Sequence, residues 1–233
     1  MDKGKLYLIP TPLGENDPME VIPVKVLEMV PSIRHFFVEE LRSGRRFLSK
    51  AGHKGQIDSL SLYELNEHTT SSAIEGYLTV LLQGNDAALI SEAGIPAVAD
   101  PGALLVELAH RHDIRVIPMS GPSSLILALA ASGMNGQNFA FNGYLPVKPE
   151  ERRAKIRKLE QISRTTGQSQ IFIETPYRNN SLLADILNTC QPETRLCLAA
   201  QITLPDSFIV TRSVAGWKRD VPDLNKKPCV FIL

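Results

Sequence analysis

In the stretch Leu89-Ile-Ser-Glu-Ala-Gly-Ile-Pro-Ala-Val-Ala-Asp-Pro-Gly102, a short apolar run from Ala87 to Ile90 opens into a loop. The loop carries two glycines, two prolines and two carboxylates, and a helical pattern follows over Ala103 to Arg111. Strand, rigid loop and helix in that order form the repeating element of an open α/β sheet. Ligands of such sheets bind beyond the carboxyl ends of the strands. Gly94 and Gly102 permit close backbone approach, and Pro96 and Pro101 stiffen the loop so that binding orders little. On these residues alone the loop is either a ligand-binding rim or a rigid turn.

Upstream, Lys5 to Ile9 reads as a strand closed by Pro10-Thr-Pro-Leu-Gly14. Val24 to Val30 has helical spacing and is expected to end before Pro31. His35 to Val38 is β-prone and runs into Glu39-Glu-Leu-Arg42, and Ser71 to Gln83 is helical with Ser71 or Ser72 as its cap. Arg115 to Pro118 is a further strand. This alternation predicts an α/β half with a mainly parallel sheet, because parallel strands need crossover helices. The pattern then restarts. Helices are predicted over Ser123 to Ser132, Glu150 to Arg164 and Leu182 to Leu187. Strands are predicted over Phe139 to Phe141, Gln170 to Glu174, Leu196 to Ala200, Ser207 to Val214 and Cys229 to Leu233. Their shorter intervals predict a mixed sheet. The expected division is residues 1–118 and 119–233.

The chain has 233 residues, 43% hydrophobic and 21% charged, with a formal net charge of zero, so general disorder is excluded and a polyanion must be met by a local patch. Cys190, Cys197 and Cys229 lack metal-ligand spacing and read as buried free thiols of a reducing cytosol. The apolar run near the N-terminus is too short for a signal peptide, and no stretch approaches bilayer length. A cytoplasmic location without membrane contact is therefore expected.

Four features can carry chemistry. The first is the 89–102 loop. The second is Pro118-Met-Ser-Gly-Pro-Ser-Ser124, whose Ser123 and Ser124 suit either a helix cap or a ligand. Neither loop has a phosphate-binding glycine fingerprint. The third is Ile171-Phe-Ile-Glu-Thr-Pro-Tyr-Arg178, in which Glu174 meets a polar or sulfonium group, or pairs with Arg178 on the surface. The fourth is the basic run Lys148, Arg152, Arg153, Lys155, Arg157, Lys158 and Arg164, either a solvated helix face or an RNA contact. The histidines show no metal spacing and no metal site is expected; a nucleophile elbow is also lacking.

Together these stretches resemble the tetrapyrrole methylase superfamily, and within it the branch that methylates a ribose 2′-oxygen of 16S ribosomal RNA. The resemblance is carried by Tyr7 to Gly14, Ser91 to Gly102, Pro118 to Leu125, Ala130 to Gly133, Phe141 to Pro146 and Glu174 to Arg178, in that order. It implies two α/β domains with S-adenosylmethionine in the cleft between them, usually in a homodimer. Gly94, Ile95, Pro96, Val98, Ala99 and Asp100 would line the cofactor beside Ser123 and Ser124, with Glu174, Thr175 and Pro176 approaching from the second domain. Glu39, Glu40 and Arg42 are the candidates for base and orienting groups at a hydroxyl acceptor. RNA of the small ribosomal subunit would be met through Lys148 to Arg164. The sequence departs from the family pattern at Glu15, at Glu39 to Arg42, at Tyr63 to His68 and at Gln201 to Ser207. Those departures leave open a tetrapyrrole-like or other acceptor, or a catalytically silent binding module.

Overall fold

In the computed structural model, which describes residues 2–233, the chain divides into two compact units, the first ending at Ser123 and the second running Ser124–Leu233. The first unit follows the order β1 (Leu6–Ile9), α1 (Pro18–Val21), α2 (Val24–Met29), β2 (His35–Val38), α3 (Leu41–Leu48), β3 (Ser61–Glu64), α4 (Ser71–Leu82), β4 (Ala87–Ile90), α5 (Ala103–Arg111) and β5 (Val116–Pro118). Its sheet has the strand order β3-β2-β4-β1-β5, and every pairing is parallel. Alternate residues of each strand enter opposite cores. Phe37, Ala87, Leu89 and Leu6 pack under α4 and α5, while Phe36, Val38, Ala88, Ile90 and Ile9 pack under α2 and α3. The two-residue period of the strands therefore builds a layer of helices on each face.

The crossovers fix where a ligand can sit. After β1 the chain crosses over β4 to reach β2, and after β4 it crosses over β1 to reach β5. The loops leaving β1 and β4 therefore diverge from adjacent strands, the arrangement that opens a crevice at the carboxyl edge of an α/β sheet.

The second unit contains α6 (Ser124–Ser132), β6 (Phe139–Tyr144), α7 (Pro149–Thr166), β7 (Ser169–Ile173), α8 (Asn179–Thr189), β8 (Arg195–Ala200), β9 (Phe208–Ser213), α9 (Val214–Trp217) and β10 (Cys229–Ile232). Its sheet runs β6-β7-β10-β8-β9, parallel between β6 and β7 and antiparallel elsewhere, so the sheet is mixed as expected. One face buries Phe172, Phe231, Leu196 and Leu198 under α7, α8 and Trp217, and α6 covers β8, β9 and β10. All three cysteines are buried and free, and burial pushes the Cys190 and Cys229 thiols up to about 12.

Several local expectations need correction. The helix from Ser71 is capped by Thr70, whose side chain accepts from the Ala73 N–H, and not by Ser71 or Ser72. The helix from Val24 does end before Pro31, at Met29, and a 3-10 turn over Val30–Ser32 carries the chain on. The basic run on α7 is not one exposed patch. Arg152 is 4% exposed, and its Nε donates to Asp185 Oδ2 at 2.6 Å, while Arg153 pairs with Asp185 Oδ1 at 3.2 Å. Lys148 is spent on Glu151 at 3.2 Å. The Arg152–Asp185 pair ties α7 to α8, and Ser181 Oγ takes a further Arg152 N–H. Removing one partner leaves the other charge buried, so Asp185→Ala is expected to lose about 3–5 kcal/mol in urea denaturation. A loss below ~1 kcal/mol would show that solvent reaches the Arg152 guanidinium.

Candidate functional site

The loops that follow β1, β4 and β5 are joined at the carboxyl edge of the first sheet by short contacts. Thr11 N–H donates to Gly94 O at 2.9 Å and Gly94 N–H donates back to Thr11 O at 3.1 Å, an antiparallel bridge outside the strands. The Thr11 hydroxyl donates to Ser91 O at 3.2 Å, and the Ser91 hydroxyl donates to Gly94 O at 2.7 Å. Thr11 and Ser91 are both buried, so these bonds form away from competing water. The β5 loop closes on the other side of β1. A Cβ on Gly121 would stand 2.2 Å from Pro10 Cγ, a contact no other residue tolerates.

The remainder of the 91–102 loop is held in an unusual backbone conformation. Gly94 has φ +85°, where glycine is unstrained, but Ala97 at +63° and Ala99 at +57° also lie in the left-handed region. Each non-glycine residue there costs about 1–2 kcal/mol. Such strain persists where surrounding contacts over-determine the chain, as at ligand clamps. Between them Val98 projects outward, 49% exposed, beside half-buried Ile95 and buried Pro96. The loop therefore presents apolar side chains and re-aimed peptide groups, without the run of amides that cradles a phosphate.

Carboxylates gather at the same edge. Val38 pairs with Ile90 in the β2–β4 register, so the residues after these strands emerge side by side. Asp100 shares a side-chain hydrogen bond with Glu39, and its carboxyl is pushed up to about 8 by burial first, then by that bond and by the charges of Glu39 and Glu92. Two carboxyls sharing one proton behave this way, because neighbouring like charges cannot both ionise freely. Glu92 Oε1 accepts from the Ser43 hydroxyl at 2.5 Å, linking the loop to the first turn of α3.

The expected residues thus separate by role. Glu39 and Asp100 meet. Glu40 instead caps α3, its two carboxylate oxygens accepting from Arg42 N–H at 2.8 Å and Ser43 N–H at 2.7 Å. Those bonds hold its carboxyl below the usual range, which makes it a weak proton acceptor. Arg42 is exposed on the first turn of α3, and Ser123 immediately precedes α6, which begins at Ser124. Sequence reading marked the loops that hold Thr11, Ser91, Glu92 and Ala97 without assigning these residues a role, and it passed over Ser43. The only available sign for most of them was their place at a strand end.

In the second unit, Glu174 follows β7 with a side chain that is 0% exposed, so its pair with Arg178 is not the surface pair allowed for above. Oε1 accepts from Arg178 Nη2 at 2.6 Å and from the Thr175 N–H at 2.7 Å. Oε2 is buried without a hydrogen-bond partner. A buried carboxylate oxygen carries a desolvation cost that a donor from outside the protein can offset. Thr175 O accepts from Arg178 N–H, and Pro176 O accepts from Lys226 N–H at 3.0 Å, so the turn is fixed by its own backbone.

The Asp100 shift has a direct consequence for stability. Its pKa rises from 3.8 unfolded to about 8 folded, so the folded state holds the proton more tightly across that interval. Its contribution is fully present below the unfolded value and is lost as pH rises toward 8. Asp100→Asn, which keeps the hydrogen bond and removes the titration, is expected to raise the melting temperature more at pH 8 than at pH 5. Parallel melting curves for variant and wild type across that range would contradict the shared proton.

Among the described residues, no helix is long and apolar enough to cross a membrane. Comparison with known proteins agrees with this architecture. A family profile described as Tetrapyrrole (Corrin/Porphyrin) Methylases matches residues 5–216. Proteins named ribosomal RNA small subunit methyltransferase I are similar to this chain. Those of Vibrio cholerae and Pasteurella multocida are each 32% identical, over 85% and 99% of the chain, and that of Xylella fastidiosa is 36% identical over 99%. The match spans 65%, just under two thirds, of the Vibrio protein's length, and 79% and 80% of the other two. The crystal structure of the methyltransferase CobJ superposes with a TM-score of 0.64 at 16% identity, over 98% of this chain and 93% of that one. Uroporphyrin-III C-methyl transferase from Thermus thermophilus, complexed with S-adenosylhomocysteine, gives 0.57 at 16% identity, over 98% and 96%. At these identities the structural likeness speaks to the fold, and the family follows from the profile and the sequence relatives: the chain belongs to the tetrapyrrole methylases.

Proposed function

We propose that this protein is an S-adenosylmethionine-dependent methyltransferase whose acceptor is a ribose 2′-oxygen of small-subunit ribosomal RNA. The observation that carries the reading is the meeting of the β1, β4 and β5 loops at the point where the sheet's crossovers diverge. The names and coverage of the sequence relatives support the acceptor class.

The residues present fit the cofactor's chemistry. It is cationic at sulfur and carries no phosphate, and the rim offers an apolar wall at Ile95, Pro96 and Val98, exposed peptide groups around Ala99, and a carboxyl at Asp100. Gly94 and Gly121 leave no side chain where the loops approach one another. Ser123 adjoins this rim in sequence; Ser124, Glu174, Thr175 and Pro176 are carried by the resemblance, and the unpartnered Oε2 of Glu174 suits a donor of the ligand. When bound, S-adenosylmethionine supplies an electrophilic methyl group, and the protein's task is alignment of the acceptor with it. The Glu39–Asp100 pair retains one proton near neutral pH, which leaves one carboxylate function to accept the proton of a ribose hydroxyl. Glu40 keeps its capping role, and Arg42 is placed on the same helical turn to orient a phosphate or hydroxyl. A cytoplasmic location and a homodimer accompany this reading as family expectations.

The test is transfer of tritiated methyl from S-adenosylmethionine to unmethylated small ribosomal subunits, with the site mapped by resistance to alkaline cleavage. The wild type is expected to label RNA at a 2′-oxygen, and Glu39→Gln to lower kcat by about 100-fold or more while cofactor affinity is kept. Cofactor binding without RNA labelling, together with labelling of a tetrapyrrole, would overturn the acceptor. Absence of both binding and transfer would leave a silent scaffold.

A further inference from the structure

The basic run of α7 is sorted by the helix onto different faces. Arg152, Ile156, Leu159 and Glu160 turn inward, and Arg152, Arg153 and Lys148 are consumed by carboxylates. Arg157, Gln161 and Arg164 lie on one stripe at helical spacing, and Lys155 and Lys158 lie off it. Among the described residues, neither Arg157 nor Arg164 has a carboxylate within ion-pair distance. Both are exposed.

Two clefts meet at Arg164. One, of about 250 Å³, is lined by Arg157, Gln161, Arg164 and Thr165 with buried Glu160 at its base. The other, of about 350 Å³, includes Arg164, Arg195, Ser163, Thr194 and Asn135. Arg195 sits at the start of β8, where Nη2 donates to Gly133 O at 3.1 Å and keeps the guanidinium beside the cleft. Glu160 is buried and, among the described residues, makes no ion pair with Arg157 or Arg164; its Oε1 accepts from the Gln191 N–H at 2.7 Å and from the Thr194 hydroxyl. Glu193 is the acidic side chain on the wall of the larger cleft, and it is exposed to solvent. Hydroxyl and amide groups of Ser163, Thr194, Asn135 and Gln191 share the wall of the larger cleft with apolar Met134 and Leu233.

We propose that Arg157, Arg164 and Arg195 form a phosphate track that holds the backbone of the RNA substrate; this rests on the RNA reading above. Arg157 and Arg164 are two helical turns apart, roughly 10 Å along the axis. That spacing serves separate phosphates better than one. Guanidinium groups without carboxylate partners have N–H forks free for phosphate oxygens, and because a guanidinium is weakly hydrated, little is lost when RNA displaces its water. A track of this kind carries no base specificity. It fixes register and orientation, and leaves selection of the target nucleotide to the catalytic loops.

The experiment is fluorescence anisotropy with labelled small-subunit ribosomal RNA across a series of KCl concentrations, alongside calorimetry with S-adenosylmethionine. Arg157→Ala/Arg164→Ala/Arg195→Ala is expected to weaken RNA binding at least tenfold at low salt. It should also lower the slope of log affinity against log salt by about 2, since each single-strand phosphate contact contributes about 0.7. Cofactor affinity and the melting temperature should stay at the wild-type value. Lys218→Ala/Arg219→Ala/Lys226→Ala removes as many charges from residues that line neither cleft and should leave the slope unchanged. Because Arg195 also bonds Gly133, Arg157→Ala/Arg164→Ala alone provides a variant without that contact, with a slope lowered by about 1.4. If the wild type binds RNA and the arginine variants keep its slope, or if the Lys218 variant loses as much, the track is wrong. If the wild type binds cofactor but no RNA, the RNA reading itself falls.

Discussion

The reciprocal backbone bonds between Thr11 and Gly94 hold together two loops that the topology sends in opposite directions. Without them the chain leaving β1 and the chain leaving β4 would diverge over solvent, with nothing to keep the 91–102 segment in its left-handed turns. The buried hydroxyls of Thr11 and Ser91 reinforce the bridge from below, and Gly121 lets the β5 loop press against Pro10 from the side. Stability stored in these contacts sustains the strain at Ala97 and Ala99. The fold thus supplies a rigid rim at the carboxyl edge of the first sheet.

Carboxylates in this protein are put to contrasting uses by their surroundings. Asp185 is buried between two arginines and acts as a structural tie between helices. Glu40 is spent on amide donors at a helix start, which keeps it ionised and poorly basic. Asp100 and Glu39 share a side-chain hydrogen bond, and burial together with that bond pushes the Asp100 carboxyl up to about 8. Glu174 is half satisfied, with one oxygen bonded and the other bare. Only the last two arrangements leave capacity for a ligand or a proton. That distinction depends on neighbours distant in sequence.

For this reason the fold was more legible than the site. The short continuous apolar runs at Leu6 to Ile9, His35 to Val38 and Ala87 to Ile90 are a local signal, and they mark parallel strands covered on both faces. The helix Leu41–Leu48 was not legible. It contains Gly44 and three arginines, and it forms because Glu40 caps it and because Gly44 lets it pack on Val38, where a Cβ would stand 2.9 Å from Cγ1. The strand Ser61–Glu64 is short and at a sheet edge, so its pattern was too weak to separate from a loop. The Asp100–Glu39 contact joins residues of two loops, one after β2 and one well beyond the end of β4, and no single segment encodes it. On α7, charge density was visible and charge pairing was not, because Asp185 lies on another helix.

The central claim is that the strained 91–102 loop is a cofactor rim. Titration calorimetry of S-adenosylmethionine into wild type and into Val98→Asp tests it most directly, because Val98 is half exposed and its replacement leaves the core untouched. One saturable site per chain in the wild type, with affinity reduced at least about tenfold in the variant at an unchanged melting temperature, is the expected result; a tenfold loss corresponds to about 1.4 kcal/mol. Wild-type protein that takes up no cofactor, or a variant that binds as tightly as wild type, would contradict the account.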